Sequence, residues 1–132
     1  MLEIFSNNEI FKLESTKQLN KKIIDKINSE FATITFNEIT AFSGYSPSHF
    51  SKFFKNLTGM TFSEYLNFVK IEHALTLFQN ETELSVTQIA LECGFGTIRN
   101  FNRVFKKLTG FSPATQGFFY QFKYWCYKGK HL

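Results

Sequence analysis

The chain has 132 residues, 43% hydrophobic and 20% charged, with a formal net charge of +4 and a pI near 9.1. That length allows one domain or two very small fused ones, the composition argues against disorder, and the positive balance hints at an anionic partner. No run approaches the roughly 18 apolar residues of a membrane span, and the start of the chain lacks the basic-then-apolar order of an export signal, so no membrane partner is expected.

Charge distribution says more than the total. Residues 1 to 35 balance five Lys against five acids, whereas Glu92 is the last acid in the chain. From Cys93 to Leu132 there are seven Lys or Arg and no Asp or Glu. The positive field is therefore concentrated late in the chain.

In chain order, residues 1–14 are weakly patterned and are expected to form an arm or linker. Ser15 to Ser29 predicts a helix, with Leu19, Ile23, Ile24 and Ile27 on one face. Phe31 to Ile34 should turn. Thr35-Phe36-Asn37-Glu38 has the form of a capping box and opens a short helix, with Phe36, Ile39 and Phe42 inward, that stops at Gly44. Ser46-Pro47 then caps and starts another helix, which ends at Gly59. Thr61 to Glu64 is a second capping box and opens the longest helix, about 62–79, with Tyr65, Leu66, Val69, Leu77 and Phe78 as expected buried contacts. After a polar break, Ser85 to Gln88 is a third capping box. A short helix runs to Cys93, a turn falls at Gly94, and a further helix runs from about Thr97 to Leu108. Ser112-Pro113 starts a last helix through about Phe122, and the tail 124–132 is aromatic and basic. No stretch alternates like a strand, so the expected class is all-α.

Within this order the chain repeats itself. GYSPSHFSKFFKNLTGM at 44–60 returns as GFGTIRNFNRVFKKLTGF at 94–111, with one extra residue between the glycine and the first core Phe. Each helix–glycine turn–helix has the spacing of a helix-turn-helix. The second helix of each copy has two faces. Phe50, Phe53, Phe54 and Leu57 stand at i, i+3, i+4 and i+7, as do Phe101, Val104, Phe105 and Leu108; these are the expected inner stripes. Ser48, Ser51, Lys52 and Lys55 point roughly opposite in the first copy, and Arg99, Asn102, Arg103 and Lys106 in the second. Neither outer face has an acid. Short polar groups near the helix start with basic ones further on suit a helix in the DNA major groove. Arg grips guanine O6 and N7 with two bonds and Asn does the same for adenine, while Lys mainly neutralises phosphate. Ile98 could meet a thymine methyl or tuck against the preceding helix. An isolated basic helix face is more often merely solvated; two copies, each behind a capped helix and a glycine turn, favour double-stranded DNA.

LSVTQIALECGF followed by FNRVFKKLTGFSP resembles the DNA-binding domain of the AraC/XylS family of bacterial transcription regulators, and GYSPSHFSKFFKNLTGMTFSEYL resembles that domain's first helix-turn-helix and the start of its linker helix. The resemblance covers about residues 15–122. It implies a seven-helix fold: a first helix-turn-helix subdomain at 15–60, a linker helix at 61–80 and a second subdomain at 81–123. It also implies two recognition helices, 47–57 and 97–108, in successive major grooves on one DNA face. At about 1.5 Å per residue the linker helix spans roughly 27 Å, and with the two bodies added, one DNA repeat of about 34 Å is plausible. The family's base-contact positions carry over to Ser48, Ser51, Lys52, Ile98, Arg99, Asn102 and Arg103; phosphate contacts are expected from His49, Lys55, Lys106 and Lys107. The implied regulator, expected to be an activator, acts in the bacterial cytoplasm on nucleoid DNA, as a monomer by default, with RNA polymerase as a candidate second partner. Three departures are visible: a first recognition helix poor in long side chains, Lys70 where the linker helix usually has Arg, and SPAT in place of Ser/Thr-Pro-x-Glu at the last helix.

Other classes are weaker. No paired carboxylates, Ser/His/Asp set or phosphate-cradling glycine loop points to an enzyme, and no cofactor is implied. Cys93 and Cys126 make no CxxC pair and no metal-like cluster with His49, His73 or His131; a redox sensor is the alternative to an idle buried Cys93. The competing functional class is a helical protein-interaction module, such as an anti-regulator, that reuses the scaffold without reading DNA.

Overall fold

The computed structural model describes residues 7–80 and 83–113. Among these there are six helices and no strand: α1 (Asn7–Ser29), α2 (Phe36–Ser43), α3 (Pro47–Thr58), α4 (Phe62–Gln79), α5 (Val86–Glu92) and α6 (Ile98–Thr109). Six replace the expected seven because the last one, through Phe122, falls beyond Pro113, outside the described residues, as does the tail 124–132. The chain divides into two compact units, 1–62 and 63–132.

In the first unit α1 packs on α2 and α2 on α3. α1 starts at Asn7, eight positions earlier than the apolar periodicity predicts. Its early part lacks an inward stripe: Ile10, Phe11 and Leu13 are 43%, 70% and 50% exposed, and burial begins only at Ile23 and Ile27. Helix propensity rather than packing carries those first turns, so periodicity cannot reveal them. The core gathers Ile23, Ile27, Ile34, Ile39, Phe50, Phe54 and Phe62. Phe62, the first residue of α4, meets the rings of Phe36, Phe50 and Phe54 at centroid distances of 5.9, 6.3 and 6.0 Å. Edge-on and tilted aromatic contacts of this kind let several Phe fill one small core.

Two expected core residues of this unit lie outside. Phe42 is 44% exposed, with the Lys26 ammonium 4.9 Å from its ring centroid; α2 is a little over two turns long and presses only Ile39, Thr40 and Ser43 inward. Leu57 is 40% exposed and Phe53 only half-buried. The buried line of α3 is thus Phe50 and Phe54 alone, narrower than the four-residue stripe.

In the second unit α5 packs on α6, and the core holds Val69, Ile71, Ala74, Leu75, Phe78, Ile89, Ala90, Cys93, Phe95, Phe101, Val104 and Phe105. α4 buries Ile71, Ala74, Leu75 and Phe78, at i, i+3, i+4 and i+7, while Tyr65, Leu66 and Leu77 are half-buried. Because α4 is apolar on several sides, periodicity admits more than one stripe and does not choose the right one.

Candidate nucleic-acid interface

The second helices of the two repeated segments start and end alike. α3 is capped by Ser46, whose Oγ accepts the His49 N–H at 3.2 Å, with Pro47 at the first helical position. α6 is capped by Thr97, whose Oγ1 accepts the Asn100 N–H at 3.1 Å. Each cap satisfies one of the amides that a helix start leaves unpaired. Counting from the caps pairs Pro47 with Ile98, Ser48 with Arg99, His49 with Asn100, Ser51 with Asn102, Lys52 with Arg103 and Lys55 with Lys106. The extra residue of the second copy is therefore Gly96, in the turn, and Ile98 occupies the proline's place, half-buried.

Both helices end in the same lock. The single Thr58 hydroxyl proton is shared between the carbonyls of Phe54 (2.9 Å) and Met60 (3.0 Å), and the hydroxyl oxygen accepts the Met60 N–H (3.1 Å). Thr109 does the same with Phe105 (2.8 Å), Phe111 (3.3 Å) and the Phe111 N–H (3.2 Å). Gly59 and Gly110 follow with φ of 77° and 83°, and each donates its N–H to a lysine carbonyl one turn back, Lys55 and Lys106, at 2.8 Å. That is the physical content of the repeated Leu-Thr-Gly: a hydroxyl to satisfy end carbonyls and a residue free to turn left-handed.

The turns ahead of the two helices differ. Gly44, at φ 76°, donates its N–H to the Thr40 and Ala41 carbonyls, and the Tyr45 N–H goes to the Ser43 hydroxyl at 3.1 Å. Gly94, at φ 87°, donates to the Leu91 carbonyl, and the Phe95 N–H reaches the Ala90 carbonyl, both at 3.0 Å. This nested pair is a Schellman closure made wholly of backbone. Tyr45 stays half-buried and stacks on α3 itself, 4.3 Å from the His49 ring and 5.1 Å from Phe53. Phe95 is 3% exposed and meets Phe101 edge-on at 5.1 Å.

Of the expected contact residues, Ser48, His49, Ser51, Lys52 and Lys55 are all exposed on α3, and Arg99, Asn102, Arg103, Lys106 and Lys107 on α6. Apart from half-buried Ile98, each helix thus brings its predicted residues onto one solvent-facing side, opposite its buried phenylalanines. Sequence reasoning missed Asn100. Its Oδ1 accepts from Arg103 Nη2 at 2.8 Å, one turn away, and its backbone is the one fixed by the Thr97 cap. The i, i+3 spacing of Asn and Arg on an exposed face was the available signal. Sequence reasoning also passed over Asn56, which lines a shallow hollow on α3 with His49, Lys52, Phe53 and Leu57.

Cys93 contributes nothing to this surface. It is 1% exposed, and burial, with Glu92 nearby, pushes its thiol up to about 11. A thiol held protonated is a poor nucleophile and a poor redox sensor.

Comparison with known proteins places the arrangement. A family model described as a helix-turn-helix domain matches residues 39–116, more than half of the chain. The chain is 41% identical over 70 residues to the Bacillus subtilis transcriptional regulatory protein YesN, covering 52% of this chain and 19% of that protein. It is 35% identical over 99 residues to the HTH-type transcriptional regulator YtdP of the same organism, covering 74% and 13%. The chain therefore spans less than a fifth of these relatives. Among solved structures, the C-terminal domain of the response regulator AraT from Geobacillus stearothermophilus superposes with a TM-score of 0.68 at 25% identity, covering 86% of this chain and 87% of that one. A probable AraC family transcriptional regulator from Rhodopseudomonas palustris gives 0.66 at 26% identity, covering 74% and 92%. The DNA-binding domain of AdpA, solved with a target DNA, shares the fold with a TM-score of 0.68 at 20% identity, covering 84% and 96%. With its repeated cap, turn and threonine lock, this chain belongs to the AraC-type helix-turn-helix family.

Proposed function

We propose that the chain is a sequence-specific DNA-reading module of a transcription regulator, with α3 and α6 as recognition helices in successive major grooves. One observation carries this: two helices built on the same scaffold each expose a polar and basic face without a single acid. A solvated surface under no constraint would mix signs; a surface that meets phosphate on both flanks cannot. In this reading Arg99 and Arg103, with Asn102, read bases in one groove, and Ser48, Ser51 and Lys52 in the other. Lys55 and His49 on α3, and Lys106 and Lys107 on α6, neutralise phosphate. The designation of the relatives as transcriptional regulators, and the target DNA bound by AdpA's domain, point the same way. In this reading residues 61–80 set the distance between the readers, the module binds as a monomer on nucleoid DNA, RNA polymerase is a further partner, and no catalysis is involved.

The test is binding to a duplex selected by the protein. Arg99→Ala and Arg103→Ala are each expected to weaken it by about 1–3 kcal/mol while leaving affinity for scrambled duplex nearly unchanged. Unaltered affinity in both variants would remove α6 as a reader and favour a protein-interaction module.

A further inference from the structure

The two glycine turns are held differently, and the second is held by a residue no contact with DNA would explain. On α4, Lys70 lies between Val69 and Ile71, which are 5% and 1% exposed, so its own backbone is fixed by burial. Its ammonium donates to the Gly94 carbonyl at 3.1 Å and sits 5.4 Å from the centroid of the Phe95 ring. The Gly94 and Phe95 amides are already committed to the end of α5. Lys70 takes the outward carbonyl of the same left-handed residue. Phe95 in turn lies edge-on against Phe101, a fully buried residue in the first turn of α6. A continuous line of contacts therefore runs from α4 through the turn into α6. The first copy has a different brace, Tyr45 stacked on α3 itself.

We infer that Lys70 is a positioning residue for DNA readout: by gripping the Gly94 carbonyl and the face of Phe95, it fixes the angle at which α6 presents Arg99, Asn102 and Arg103. The half-buried ammonium sits there against its own interest, since burial lowers its pKa, an effect only partly opposed by Cys93. A charged donor to a carbonyl is stronger than a neutral one, and cation–π contact adds to it. Arg at this position could keep both contacts; Met would keep the stem and lose both.

The inference rests on α6 being a base reader, so the experiment separates the two. With the full 132-residue chain, discrimination is measured as the ratio of affinities for a selected duplex and for one with the α6 block scrambled. Lys70→Met is expected to lose about tenfold in that ratio, the equivalent of one charged hydrogen bond, with affinity for wholly scrambled duplex unchanged. Lys70→Arg is expected to restore the ratio to within about threefold, which a purely packing role for the stem would not require. If Arg103→Ala lowers the ratio and Lys70→Met, folded, does not, the positioning role is overturned while the reader stands. If neither lowers it, α6 is not a reader and both fall. Should Lys70→Met fail to fold, the wild-type protein still decides: a scalar coupling between Lys70 Nζ and the Gly94 carbonyl carbon supports the grip, and its absence overturns it.

Discussion

The pair α2–α3 and the pair α5–α6 are one design used twice, with their inner halves alike and their outer halves unlike. Phe50 meets Phe54 and Phe101 meets Phe105 at the same centroid distance, 5.5 Å, the first pair stacked and the second tilted, and all four rings are fully buried. The end locks at Thr58 and Thr109 match bond for bond. On the outside, Arg99 stands where the first copy has Ser48, Asn102 where it has Ser51, and Arg103 where it has Lys52. Packing tolerates only a few solutions for a short helix against a shorter one, so the scaffold is kept. Solvent-facing positions carry no such constraint and are free to differ. On the proposed reading, α3 and α6 share a shape while dividing the work unequally, with α6 expected to contribute more.

The largest expected effect tests the sameness. Phe54→Ala and Phe105→Ala should each destabilise by about 3–5 kcal/mol, and by amounts that agree within about 1 kcal/mol, as measured by urea unfolding. A large disparity would mean that the two cores are not equivalent. Next comes a difference at the turns. Cys93 stands where the first copy has Ser43, whose hydroxyl serves the Thr40 carbonyl at 2.7 Å and the Tyr45 N–H. With its thiol near 11 rather than the ordinary 9.0, Cys93 should alkylate about a hundredfold more slowly than a free thiol at pH 8. Peptide mapping would separate it from Cys126, and its rate should still be rising above about pH 10, where an ordinary thiol has levelled off. Fast modification would reopen the redox reading.

The unequal division predicts that Arg103→Ala costs about 1–3 kcal/mol at a selected site while its counterpart Lys52→Ala costs less than about 1 kcal/mol and acts on all sequences alike, as a phosphate contact does. Equal, sequence-dependent losses would make the two helices equal readers. The smallest effect is in salt dependence. Lys55→Ala and Lys106→Ala should each lower the slope of log affinity against log salt by about 0.9, and an unchanged slope would take that lysine off the phosphates.

How far the sequence carries depends on where each feature's cause lies. Caps, glycine stops and the repeat are local, so Ser46, Ser85, Gly44 and Gly59 are legible from neighbouring letters. The exposed side of each of these two helices is legible too, because the buried phenylalanines fix its opposite. The start of α1 at Asn7 is not, since exposed turns carry no periodicity. Nor is the inner face of α4, whose apolar residues surround the helix; only neighbours select Ile71, Ala74 and Leu75. The grip of Lys70 on Gly94 joins residues 24 positions apart, and the Asn100–Arg103 bond needs rotamers, not letters. Position 70 does show in the sequence as a departure from the family's Arg, yet its consequence becomes definite only with the turn in place.

The most direct measurement is selection of bound duplexes from a random pool by the wild-type chain. Two helices that share a scaffold and differ in their outer faces should select two unlike blocks about one helical turn, roughly 10 base pairs, apart, with the block lost in Arg103→Ala being the more strongly enriched. A single block would leave only one reading helix, and a pool without enrichment would contradict sequence-specific reading altogether.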